Sequence, residues 1–356
     1  MISKKYQIIL SILFLFGILL VSIFNAVSSE AKSCSYNDKA YQGLELTQLS
    51  QELENTGLIG RIHGAASNGK LFVLSVREPN NFFNHREFSL LPSDDRTLNT
   101  LSQTNRHDLV CVQGNIIANA SPQKHVLVKS MEVLESWSTG EDAPPPYERN
   151  SEIPQELINQ TQSQFVGKVH AIGGEGQILV VEYKESLFPI FAQATEYTQG
   201  LYRGDIIRLN YKIQQRPQEP IHLELDLQAE KPIEVIDAIV DWHQQNKTLA
   251  GKLVKFPQSP QLKFDVYAIE VETQGIKRTF TLINFNNMNE FQRIREKLVS
   301  LWDRNLETAV SGRNMQINPN LIVEASGKLN IVSTEQANPQ ILLDSADDIR
   351  LQSADI

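Results

Sequence analysis

Cysteine is nearly absent: Cys34 and Cys111 are the only two in 356 residues. They leave room for one bridge, in an oxidising compartment, or for two free thiols. A lipidated Cys34 is disfavoured by Lys32, which sits where a small or apolar residue belongs. Histidine is scarce too. His63, His85, His107 and His125 fall in one stretch near Cys111, but none shows paired-ligand spacing, so no metal site is expected. Catalytic signatures are missing as well. There is no Gly-x-Ser-x-Gly elbow, no His-Glu-x-x-His and no phosphate-binding loop. Gly173-Gly174-Glu175-Gly176 separates two alternating runs and reads as a hairpin turn, since a dinucleotide fingerprint needs a strand before it and a helix after it. No catalytic residue and no cofactor is implied, which favours a non-enzyme over an enzyme whose active site is assembled from distant residues.

An excess of positive charge is also lacking. Against 33 Lys and Arg stand 42 Asp and Glu, a formal net charge of −9. That speaks against nucleic acid as a partner, whose binding rests on cations neutralising phosphates. The acidity is uneven. Residues 57–137 carry 8 basic and 7 acidic side chains, 165–227 carry 6 and 8, and 248–332 carry 11 and 8. The stretches 138–164 and 333–356 each carry 1 basic and 5 acidic, so the surplus belongs to connectors and tail.

One long hydrophobic run exists. After Lys4 and Lys5 the chain is apolar from Ile8 to Phe24, broken only by Ser11, Gly17 and Ser22. A cationic start followed by such a run is the pattern of an export signal, and its length overlaps that of a membrane anchor. The expectation is a single-pass membrane protein, with its N-terminus cytoplasmic and its bulk in the periplasm or thylakoid lumen. A secreted soluble protein, after cleavage in residues 1–31, is the alternative.

What the rest of the sequence holds is repetition. Three stretches open with an apolar residue, Gly, a basic residue and another apolar one: Ile59-Gly60-Arg61-Ile62, Val166-Gly167-Lys168-Val169 and Ala250-Gly251-Lys252-Leu253. Each leads through a turn into an alternating β run, at 70–76, 177–183 and 262–269. Third strands are expected at Arg86–Leu91, Leu187–Ala192 and Arg278–Ile283. Helical spacing follows at Leu98–Thr104 and Met288–Trp302. Closing strands are expected at Leu109–Gly114 and Val126–Val133, at Asp205–Tyr211 and Ile221–Leu227, and at Thr308–Gly312 and Leu321–Ile331.

This order of strands and helix resembles the OB-fold, a five-stranded Greek-key barrel. The fold class expected is mainly β with connecting helices: three small OB-like barrels after an N-terminal hydrophobic helix. The limits are a helical linker at 32–56, modules at 57–137, 165–227 and 248–332, a Pro-rich linker at 138–164, a linker helix at 228–247 and an acidic tail at 333–356. The exported, anchored, repeated layout is similar to envelope or thylakoid-membrane proteins of unknown function in photosynthetic bacteria. Repeated, near-neutral modules without a catalytic motif, behind an export segment, point to a non-enzymatic membrane-tethered scaffold or protein-binding protein, with other membrane or envelope proteins as partners. The alternative is an oligosaccharide- or single-strand-binding protein. OB-folds bind such ligands on the face of their second and third strands, where aromatic rings stack on bases or sugars. The aromatic and amide-rich run Asn80 to Arg86 lies there, and makes Phe82, Phe83, His85 and Arg86 the candidate ligand-binding residues.

Overall fold

A computed structural model describes Cys34 and residues 38–352, except 67–69, 118–122, 138–151, 160–162, 185, 216–220, 257, 259–263, 274, 313–314 and 333–336. Only the backbone is described for Asp38, Ala66, Phe82, Phe83, Glu175, Ser311 and Gly312. Two helices, α1 (Asp38–Tyr41) and α2 (Leu46–Asn55), precede the first barrel. Leu49 and Leu53, four apart on α2, are fully buried. The Tyr41 hydroxyl accepts from the Ile59 backbone N–H at 2.6 Å, fixing the entry to the first strand.

The first barrel comprises β1 (Leu58–Ala66), β2 (Leu71–Glu78), β3 (Asn81–Pro92), α3 (Asp95–Ser102), β4 (Leu109–Ile116) and β5 (Lys124–Glu135). Its strands close in the order β1-β2-β3-β5-β4, with β3 and β5 parallel and β4 returning to β1. Alternation places Phe72, Leu74, Val76, Phe88, Leu90, Val110, Val112, Val126 and Val128 inside. Asp94 caps α3 by accepting from the Thr97 backbone N–H at 2.7 Å, which stops β3 and starts the helix.

The second barrel repeats the order. Its strands are β6 (Gln164–Gly173), β7 (Ile178–Tyr183), β8 (Ser186–Phe191), β9 (Ile206–Gln214) and β10 (His222–Leu225). The parallel pair is β8 with β10, and β9 closes onto β6. A 3-10 turn at Thr195–Tyr197 replaces the helix. A short helix, α4 (Gln155–Asn159), plugs Leu157 beneath it, where the Leu157 carbonyl accepts from the Tyr211 hydroxyl at 2.6 Å. Both barrels are OB-like, as the order of elements implies.

A third sheet holds β12 (Asn246–Phe256), β13 (Val266–Thr273), β14 (Ile276–Ile283), β15 (Val310–Gly312), β16 (Met315–Asn330), β17 (Gln340–Leu342) and β18 (Ile349–Leu351). Helix α5 (Met288–Asp303) lies between β14 and β15. Here three sequence expectations are corrected. The strand expected at Thr308–Gly312 is only the short arm of a hairpin, and the long β16 is what pairs with β12. The expected acidic tail contains β17 and β18, whose Ile341 and Ile349 are fully buried in the core beside Trp302. The expected linker helix at 228–247 is instead strand β11 (Ile233–Asp237), paired with β9, followed by a 3-10 turn at Ile239–Trp242. The β-branched Ile233, Val235 and Ile236 favour the extended form there.

The recurring glycines have a steric cause. A Cβ on Gly60 would come within 2.8 Å of the Ser75 carbonyl oxygen, and one on Gly251 within 2.5 Å of that of Glu270. Gly167 is pressed likewise against Val181. At each opening strand the second strand coils too close for a side chain.

The reading as a membrane-anchored, extracytoplasmic scaffold is corrected. Among the described residues no helix is long and apolar enough to cross a membrane. The hydrophobic run at 8–24, on which that reading rested, lies outside the described residues. The fold therefore supplies no basis for a tether, an envelope or thylakoid location, or membrane-protein partners.

Candidate functional site

Strand register assembles one polar surface on the first barrel. With Phe72, Leu74 and Val76 turned inward, the intervening Ser75 and Arg77 of β2 point away from the barrel core, Ser75 remaining buried there. Arg61 stands opposite Ser75, Ser75 opposite Glu87, and Arg77 opposite His85, so all five share the outer face of β1–β3. His63 joins them, its Nδ1 lying 3.1 Å from Glu87 Oε1.

The loop before β4 adds the cationic Arg106 and, next to it, His107. Asp108, almost fully buried, accepts from the backbone N–H groups of Asn105 and Trp137, each at 2.7 Å, and so pins this loop. His107 takes a left-handed backbone conformation (φ 75°), and its carbonyl accepts from Arg61 at 2.7 Å. The second barrel borders the same face. A Cβ placed on Gly173, at the end of β6, would lie 3.8 Å from Glu87 Oε2, and Arg203 lies within electrostatic reach of Arg106.

Charge here is crowded and partly dry. Burial, reinforced by Arg106, His63, Arg61 and Arg77, pushes the His107 imidazole down to about 3. Burial and the Arg106 guanidinium lower Arg203 to about 10, opposed by Glu182. Arg77 is lowered by burial and by Arg61, against the pull of Glu87. Burial alone would raise Glu87; the hydrogen bond from His63, with the charges of His63, His85 and Arg77, outweighs it and leaves the carboxyl below its ordinary range. Cationic groups pressed together in a partly desolvated seam favour an anion among them.

Of the residues singled out in the sequence, His85 belongs to this surface. Arg86 stands opposite Val76 and so lies on the other face of β3. Phe82 and Phe83 are at the start of β3, with side chains outside the described set. His125 is buried on β5 opposite Ser89. Among the described residues no group of three or more His, Cys, Asp or Glu is arranged to hold a metal ion. Cys111 is buried on β4, and neither it nor Cys34 is a free thiol. Sequence reasoning missed Arg61, Arg77, Arg106, His107 and Arg203. One signal was present: the basic residue after each opening glycine, of which Arg61 serves this face and Lys168 the next seam.

No family model matches the chain, and no curated protein does. Solved structures are matched at low identity. A murine DNA-binding protein bound with double-stranded DNA is 15% identical over 51% of this chain and 99% of that one, with a TM-score of 0.19. The asparaginyl-tRNA synthetase of Pyrococcus horikoshii is 14% identical over 42% of each chain, at 0.21. The Drosophila Unr fragment CSD456 is 8% identical over 84% of this chain and 98% of that one, at 0.15. Scores this low carry no functional assignment. The expectation that nucleic acid is not a partner is nonetheless corrected. It rested on net charge, whereas the charge that matters is local: OB-like barrels are a fold that takes oligonucleotides, and the first presents a cationic face.

Proposed function

We propose that the protein is a non-enzymatic binder of single-stranded nucleic acid, engaged by the outer β1–β3 face of the first barrel. The observation that carries this reading is the convergence of Arg61, Arg77, His63 and His85 on the strand face that OB-folds use for ligands, with Arg106 of the loop before β4 and Arg203 of the second barrel at its border. Phosphates would meet these cations, while Phe82, Phe83 and His85 would offer stacking and edge contacts at the end of β3; Arg86, on the other face of that strand, takes no part. An uncharged oligosaccharide has no use for so many guanidiniums.

The third sheet is proposed as a further OB-like barrel, with its limits moved to 246–351. Its order β12-β13-β14-β17-β16, closed by β12 with β16, supports this. So does Gly327, which packs against the Leu342 carbonyl of β17 as Gly114 packs against that of Leu127 on β5. A Cys34–Cys111 bridge is proposed to complete the fold.

Fluorescence anisotropy with a labelled single-stranded oligonucleotide tests the reading, run beside a glycan array. Binding of the strand, weakened in Phe82→Ala, supports it. Unchanged binding in Phe82→Ala rejects the proposed aromatic contact, and glycan binding without strand binding rejects the ligand class.

A further inference from the structure

The entry to α5 carries a second stacking surface. Phe264 and Phe291 meet edge to face with centroids 5.8 Å apart. The Arg295 guanidinium carbon lies 4.7 Å from the Phe264 ring centroid and 5.8 Å from that of Phe291. Its charge is thus held between two aromatic rings, a pre-set arrangement with little rotamer freedom left to lose. Among the described residues the buried Nε–H of Arg295 has no acceptor. A phosphate or base carbonyl would meet such a guanidinium through its terminal N–H groups, not through the buried Nε–H.

Two exposed apolar side chains lie at the entry of the same helix: Met288, its first residue, at 78%, and Phe285, in the turn before it, at 68%. Their exposure is not slack. The buried Asn284 accepts from the backbone N–H groups of Asn286 and Asn287 at 3.1 and 3.0 Å, and donates to the Leu343 carbonyl at 2.7 Å. Asn287 in turn caps α5 by accepting from Asn289 and Glu290. The turn bearing Phe285 is therefore rigid, and it holds an aromatic ring in water at a hydrophobic cost. Such a ring, in the turn that opens the helix carrying an aromatic-stacked arginine, fits unpaired bases on a negatively charged backbone better than an apolar partner surface, which would leave the cation unmatched.

We propose that the α5 entry, through Phe285 and the Phe264–Arg295–Phe291 stack, is a second contact for single-stranded nucleic acid, engaged only by strands long enough to reach it from the first barrel. This rests on the reading of the first-barrel face. Anisotropy titrations of the full chain with oligonucleotides of about 8 and about 40 nucleotides test it, since one OB module covers roughly 4–16. Phe285→Ala, which truncates an exposed side chain and should leave the fold intact, weakens binding of the longer strand about tenfold and leaves the shorter unchanged. Arg295→Lys, which keeps charge but loses the planar stack, weakens the longer strand in the same sense. Unchanged long-strand affinity in both variants overturns the second contact. So does a change in oligomeric state on Phe285→Ala without any loss of affinity, which would make the patch a self-contact. If the unsubstituted chain binds neither oligonucleotide, the first-barrel reading fails and this inference with it.

Discussion

His63 of β1 and Glu87 of β3 reach across the intervening β2 to share a hydrogen bond of 3.1 Å on the outer face of the first barrel. Glu87 is thereby a carboxylate set among Arg61, Arg77, His63 and His85, while Glu135 pairs with Arg61 at 3.3 Å. Glu87→Gln keeps the shape and the hydrogen-bonding oxygen while removing the charge. Affinity for a single strand should rise about three- to tenfold at low salt, by the removal of one close repulsion. A fall in affinity, read by anisotropy, would contradict the assigned polarity of the face.

The depressed imidazole of His107 makes stability pH-dependent. An unfolded chain protonates this residue near 6.5, whereas the folded one does so at about 3. Between those values the unfolded state binds more protons, so stability falls as pH drops from 6.5 towards 3, by about 1.4 kcal/mol per unit. His107→Asn suits the left-handed backbone and cannot titrate. Urea unfolding at pH 6.5 and 5 should show the unsubstituted chain losing about 2 kcal/mol more than the variant. Parallel losses would show that His107 is not held neutral.

Arg278 of β14, only 5% exposed, donates Nε to the Gly204 carbonyl at 2.9 Å and its terminal nitrogen to Asp237 at 2.7 Å. It clamps the second barrel to the third sheet. Because Asp237 is partly exposed, Arg278→Ala should cost about 2 kcal/mol, below the range for a fully buried pair. Denaturant unfolding checks it; a loss below about 0.5 kcal/mol would place this contact among weak surface pairs.

Gly251→Ala should cost about 1–3 kcal/mol, because the added methyl would meet the Glu270 carbonyl of the neighbouring strand. A neutral substitution, measured by thermal unfolding, would mean that the strands can part without strain.

The two OB-like barrels were legible because alternation and Gly-marked openings are local signals. Phe72, Leu74 and Val76 announce an inward face, and Gly60 and Gly167 mark the close crossings. The third sheet was misread at its end. A three-residue strand such as β17 has too short a pattern to show alternation, and its acidic flanks at 344–348 look like solvated tail. The segment at 233–242 places apolar residues at spacings that suit a helix as well as a strand, and pairing with β9 decides between them. The cationic face was hidden for another reason. Arg61, Arg77, Arg106 and Arg203 are scattered over 143 positions of the chain, and only strand register and the seam between barrels bring them together.

The salt dependence of single-strand affinity tests the proposed role of that face most directly. For the unsubstituted chain, log affinity should fall linearly with log salt, by about 0.7 for each phosphate neutralised. In Arg61→Ala/Arg77→Ala, checked by thermal melt to be folded, the expected slope is smaller by about 1.4, two phosphate contacts being lost. An identical slope in the two proteins would place the nucleic acid elsewhere, and no measurable binding by the folded, unsubstituted chain would contradict the proposed function itself.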